Sequence, residues 1–141
     1  MFLGEYEYKL DEKGRLPIPP RFRDELKNGL VLTPGVENCI LVYPVPEWKK
    51  VAATLTTGSL APSKIRRLNR ALFATAFHTP MDSQGRIMLP APLKEYAGLT
   101  DVVVVAGANT YLELWSRERW EEEKALSQEQ AWQIIESLEK R

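Results

Sequence analysis

One unit is written twice in this chain, and that duplication limits what it can fold into more than any other feature. Residues 10–24 read LDEKGRLPIPPRFRD and residues 81–95 read MDSQGRIMLPAPLKE, aligned without a gap at an offset of 71. Asp11 matches Asp82, Gly14 matches Gly85, Arg15 matches Arg86 and Pro19 matches Pro90. Apolar positions repeat too, with Leu16, Ile18 and Phe22 against Ile87, Leu89 and Leu93. After one inserted residue, LVLTPGVENCILVYPVPEW (30–48) lies against VVVAGANTYLELWSRERW (103–120), so Gly35 meets Gly107, Tyr43 meets Trp115 and Trp48 meets Trp120. Each repeat of such a chain is one structural unit. A unit of about forty residues buries its own apolar faces poorly, so the two copies are expected to interlock into a pseudo-twofold body.

Local patterns give the content of each unit. Alternation in EYEYKL predicts a strand, and Asp11 with Gly14 across a short polar loop predicts a bulged hairpin returning along Arg15–Ile18. Pro19 and Pro20 then suit the first turn of a short helix in PRFRDEL, where a fixed φ and a missing N–H are tolerated. Leu30–Thr33 and Cys39–Tyr43 read as strands around the turn PGVEN, and a helix opens near Pro46. The second unit follows the same order, with Ser116 as N-cap of RERWEEEKAL. Between the units, PSKIRRLNRALFATAF carries Ile65, Leu68 and Leu72 at helical spacing, with Arg66 and Arg70 stacked one turn apart. Near the end, Ser127 and Gln130 predict a capping box that opens a last helix with Ala131, Ile134, Ile135 and Leu138 as its apolar stripe. The subunit body or a neighbour must cover that stripe.

Composition narrows the class. At 141 residues the chain holds one domain or two half-size units, and 44% hydrophobic with 27% charged residues is ordinary for a globular protein. The longest apolar run, Val102–Ala108, is far too short to span a bilayer, and Met1 leads straight into charged residues rather than a secretory signal. No membrane partner is expected. Cys39 is the single cysteine, which fits a reducing cytosol, and with His78 as the single histidine there are too few soft ligands for a zinc site. Lys and Arg number 19 and Asp and Glu 19, and a net charge of zero argues against a nonspecific nucleic-acid coat. The charge is uneven, however: residues 1–70 carry 12 basic against 8 acidic side chains, and residues 71–141 carry 7 against 11. Such a split suits a local basic surface, or head-to-tail association of subunits.

Catalysis finds little support. Acid-base work would need Asp11 and Asp82 together in a cleft, and no nucleophile with a base, glycine-rich phosphate loop or metal set accompanies them. No catalytic residue, cofactor, metal or small-molecule substrate is therefore expected. The doubled Asp-x-x-Gly-Arg loop is the candidate site. The guanidinium forks of Arg15 and Arg86 match guanine O6 and N7, while Lys13, Arg21 and Arg23 can meet phosphates, which set register rather than sequence. The plainer alternative makes both arginines solvated or paired with Asp11 and Asp82, which head turns and accept backbone N–H bonds. Gly14 and Gly85 shape the loops in either case. Ser83 and Gln84 stand where the first loop has Glu12 and Lys13, so the two repeats are chemically unequal. Arg66, Arg67 and Arg70 read as a solvated helix face, subunit ion pairs or phosphate contacts. His78 and Cys39 read as strand residues, and the matched Trp48 and Trp120 as packing rather than base-stacking groups.

The segments MFLGEYEYKLDEKGRLPIP and MDSQGRIMLP, with the overall length, resemble the MraZ family of bacterial transcriptional regulators, two-repeat members of the SpoVT-AbrB group. The resemblance covers essentially the whole chain, and an Asp-x-x-x-Arg motif recurs at Asp11 with Arg15 and Asp82 with Arg86. It implies an α+β fold of two tandem SpoVT-AbrB-like β-hairpin/helix repeats, residues 5–48 and 76–120, forming a pseudo-twofold β-barrel-like body. A helical linker, 49–75, and a C-terminal helical extension, 121–141, complete it. The resemblance further implies a cytoplasmic, nucleoid-associated regulator that represses the division and cell-wall gene cluster, its own operon included. It would act on double-stranded promoter DNA as a ring homo-oligomer, such as an octamer, whose loops meet direct repeats. Relatives in the same fold group that bind proteins as antitoxins supply the alternative, which an acidic second half and a spare amphipathic helix would suit.

Overall fold

The computed structural model describes residues 1–56 and 58–139, so residues 57, 140 and 141 of the expected linker and extension lie outside the described residues. The first unit comprises β1 (Glu5–Lys9), β2 (Arg15–Pro17), a 3-10 turn (Pro20–Phe22) running into α1 (Arg23–Leu26), β3 (Leu30–Pro34), β4 (Ile40–Pro44) and α2 (Val45–Thr56). After α3 (Pro62–Leu72) the order repeats as β5 (Phe77–Thr79), β6 (Arg86–Met88), α4 (Ala91–Ala97), β7 (Val102–Gly107), β8 (Leu112–Ser116) and α5 (Arg117–Glu139). Proline opens the helical turn in both units, Pro20 in the first and Pro92 inside the first turn of α4.

The strands form an α+β body of two antiparallel sheets rather than a closed barrel. A six-stranded sheet runs β1-β7-β8-β4-β3-β5, and β2 pairs only with β6 in a two-stranded ribbon. Both arrangements are symmetric between the repeats: β1 of the first unit lies on β7 of the second, while β5 of the second lies on β3 of the first. The expected hairpins are thereby corrected. Each turn closes as a hairpin does, with Asp11 N–H donating to the Arg15 carbonyl at 3.0 Å and Asp82 N–H to the Arg86 carbonyl at 2.8 Å. Beyond that bond the two arms part, one to the large sheet and one to the ribbon. The cause is the small size of one unit. Exchanging arms lets the alternating faces of both units close on one core.

That core fills the space between ribbon and sheet. Leu16 and Ile87 face each other across the ribbon, fully buried, and pack with Ile18, Leu89, Leu93, Val103, Val105, Leu112, Leu114, Ile40 and Val42. Truncating either ribbon residue to alanine should cost about 2–5 kcal/mol. Alternation then puts Cys39, Val104, Ala106 and Trp115 on the opposite face of the sheet, where Leu41 and Trp120 cover them. Trp48 also packs, against Tyr43 and Phe73, so both matched tryptophans serve the fold.

Ser116 caps α5 as expected, its Oγ accepting the Arg119 N–H at 3.3 Å. Ser127 does not open a helix: α5 runs unbroken through it. The residues before it, RERWEEEKAL, are good helix formers without glycine or proline, so the turn is already helical when the capping signature arrives. The outer part of α5 leaves Trp132, Ile134, Ile135 and Leu138 in solvent.

Candidate nucleic-acid interface

The ribbon places the two Asp-x-x-Gly-Arg loops side by side. In the first, Asp11 Oδ1 accepts the N–H groups of Lys13 and Arg15, each at 2.9 Å, and Oδ2 accepts Arg15 Nε at 2.6 Å. In the second, Asp82 Oδ1 accepts from the N–H groups of Gln84 and Arg86 and Oδ2 from Arg86 Nε, all at 2.9 Å. Each aspartate therefore shapes its turn with one oxygen and orients its arginine with the other. Both guanidiniums are held through Nε and remain partly exposed. Arg86 Nη1 also lies 3.9 Å from Asp11 Oδ2, which ties one loop to the other across the pseudo-twofold.

Both carboxyls sit below their ordinary pKa, chiefly because backbone N–H groups of Arg15 and Arg86, respectively, bond the charged form. Partial desolvation opposes this, and the guanidiniums add to it. At neutral pH each pair is thus a fixed ion pair.

Glycine is required in both turns, with φ of +79° at Gly14 and +77° at Gly85. It also makes room. Arg23 lies over Gly85, its Nε donating to the Ile18 carbonyl at 2.9 Å, and Lys94 Nζ reaches over Gly14, where an added Cβ would sit 2.8 Å from it. Each unit therefore sets a cation over the other's loop. Arg23 was singled out from the sequence; Lys94 was not, although it stands 71 residues beyond Arg23, at the repeat offset. Arg21 rests on the Tyr6 ring at 5.7 Å, and Lys13 sits exposed at the tip of the first loop. Arg66, Arg67 and Arg70 are exposed on α3.

The opposite face of the large sheet carries an acidic cluster in which Glu5 alone is ion-paired, with Lys124 at 2.6 Å, among the described residues. A cleft between sheet and α5 is lined by Glu5, Glu37, Glu113, Trp115, Trp120 and Glu123. Burial pushes the Glu113 carboxyl up, with Glu37 and Glu123 adding to the rise against a hydrogen bond from Trp115. Buried Cys39 is no nucleophile, since burial raises its thiol to about 12. Among the described residues no group of acidic, histidine or cysteine side chains is placed to hold a metal, and no helix is long and apolar enough to cross a membrane.

Fold and site together define a two-repeat α+β protein that holds a pair of arginines on adjacent loops. Comparison with known proteins gives the family. Its model, described as "MraZ protein, putative antitoxin-like", matches twice, at residues 1–71 and 72–138. Two proteins named transcriptional regulator MraZ from Dehalococcoides mccartyi, strains BAV1 and 195, are 64% and 61% identical over 140 residues, 99% of each chain. A third of that name, from Herpetosiphon aurantiacus, is 47% identical over 121 residues, 86% of this chain and 85% of its own. The chain belongs to the MraZ family, whose named relatives are transcriptional regulators rather than enzymes.

Proposed function

We propose that this chain is a sequence-specific DNA-binding transcriptional regulator that lays the β2–β6 ribbon and its two loops against promoter DNA. The observation that carries this reading is the adjacency of the two oriented arginines, Arg15 and Arg86, on one rigid ribbon. A major groove admits a two-stranded ribbon, and an arginine fork paired with guanine O6 and N7 discriminates by about 1–3 kcal/mol. Lys13, Arg21 and Arg23 supply phosphate contacts around it, and Asp11, Gly14, Asp82 and Gly85 set the loop shape. We take the repeats as residues 5–48 and 76–120, each ending in the first turn of its helix, α2 or α5, with 49–75 linking them and 121–141 extending the second. By family resemblance the target is the division and cell-wall gene cluster with the chain's own operon, and the effect is repression in the nucleoid of the cytoplasm. Several subunits in a ring would engage successive direct repeats, gaining affinity from effective concentration.

The exposed apolar residues and acidic balance of α5 favour a second reading, an antitoxin-like module that binds a protein. Titration of a duplex from the chain's own upstream region separates them. Arg15→Ala should lose about 1–3 kcal/mol per base contact while still folding cooperatively. Unchanged operator affinity in a folded Arg15→Ala protein would sink the base-reading role.

A further inference from the structure

The ribbon carries one side chain that neither core nor loop accounts for. With three residues per strand, alternation turns Leu16 and Ile87 inward and leaves Arg15, Pro17, Arg86 and Met88 on the outer face. Arg15 stands directly opposite Met88, and Pro17 opposite Arg86. Facing residues of an antiparallel pair have Cβ atoms about 5 Å apart, so each arginine shares its patch with one apolar neighbour. Met88 is 47% exposed there, beside a half-buried ion pair, and belongs to neither hydrophobic cluster. The repeat puts Pro17 at the matching position, 71 residues earlier. One end of the ribbon therefore presents a long, flexible thioether and the other a short, rigid ring.

We propose that Met88 is a specificity-determining residue that packs on the C5-methyl group of a thymine beside the base taken by Arg15. This rests on the ribbon facing DNA. In the major groove the other displayed groups of the bases are hydrogen-bond donors and acceptors, and the thymine methyl is the apolar one. A ribbon that lays Arg15 on a guanine edge carries Met88 to a neighbouring base at the same depth. Methionine suits the contact because its unbranched, polarisable side chain adapts to an irregular surface. Pro17 has no such reach, so thymine preference belongs to the Arg15 end of the ribbon and not to the Arg86 end.

The test replaces each thymine of the operator duplex in turn by deoxyuridine, which removes the methyl group and nothing else. Fluorescence anisotropy with the full-length chain reads the affinity. One position should weaken the wild type by about threefold to tenfold, the range set by burying one methyl-sized group. Met88→Ala should bind the thymine duplex weaker by a similar factor and be indifferent to deoxyuridine at that position. The proposal is overturned if deoxyuridine has no effect on the wild type, if it affects Met88→Ala equally, or if Met88→Ala changes the subunit mass in light scattering. Loss of operator preference in the wild type itself would instead remove the DNA-facing ribbon, whereas intact preference with any of those three results removes Met88 alone.

Discussion

Gly85 and Gly14 occupy equivalent turns, yet alanine should damage them unequally. At Gly85 the φ of +77° is one that an L side chain adopts at a cost of about 1–2 kcal/mol. The added Cβ would also overlap Arg23 Nε and Cζ and lie 2.7 Å from its Cδ. Arg23 cannot leave freely, because its Nε holds the Ile18 carbonyl at 2.9 Å, and a hydrogen bond from a charged donor contributes about 1.5–3 kcal/mol. Gly85→Ala should therefore cost on the order of 3–4 kcal/mol. At Gly14 the φ of +79° exacts the same strain, but the obstruction is Lys94 Nζ at 2.8 Å, the far end of a flexible chain. Gly14→Ala should stop at about 1–2 kcal/mol. Urea unfolding of both variants, with Arg23→Ala and the Gly85→Ala/Arg23→Ala double variant, closes a cycle in which the coupling should be about 1.5 kcal/mol or more. Equal losses at the two glycines, or additivity with Arg23→Ala, would refute the cross-brace.

Acid should loosen the loops in a defined window. Asp11 and Asp82 are held below their ordinary value of 3.8, so their contribution is complete above that pH and is lost as pH falls through the lowered value. Asp11→Asn/Asp82→Asn should flatten that part of a pH series of unfolding midpoints; an unaltered profile would argue against it. If phosphate contacts come mainly from the first loop, Lys13→Ala should reduce the slope of log K against log salt by about one per bound subunit, and Gln84→Ala should leave it unchanged. Truncation after Leu126 removes Trp132, Ile134, Ile135 and Leu138, exposed on α5, and should lower the oligomer mass in light scattering while the body stays folded. A full-length mass from the truncated chain would show that α5 joins nothing.

Much of this was legible because the informative chemistry is local. Asp, Gly and Arg at fixed spacing dictate the turn, the positive φ and the ion pair without help from distant residues. The duplication likewise announced two interlocked units of the same element order. Strand exchange was not legible, since alternation in EYEYK marks which residues face the core but not which strand lies alongside. The turn at Asp11–Gly14 satisfies its own bonds whether its arms stay together or part. Lys94 was overlooked for a related reason. It lies over Gly14, 80 residues away in the chain, and the offset from Arg23 is the signal that points to it. Ser127 misled because a capping signature has meaning only where the preceding residues are not already helical.

Strand exchange also explains how a chain of zero net charge could hold an anionic duplex. A single loop offers one arginine neutralised by its own aspartate, which is weak bait for DNA. Exchanging arms brings a second such loop to the first, and Arg23 and Lys94 then add a cation above each turn. The large sheet separates this surface from the acidic cleft under α5, where Glu37, Glu113 and Glu123 gather. Field therefore depends on which face is met rather than on the sum of charges. The same segregation gives each subunit unlike faces, and contact between unlike faces is heterologous, closing into a ring when the rotation allows. On this reasoning the proposed DNA-facing ribbon and the proposed assembly surface would share one origin, the segregation of charge between the two faces of one sheet.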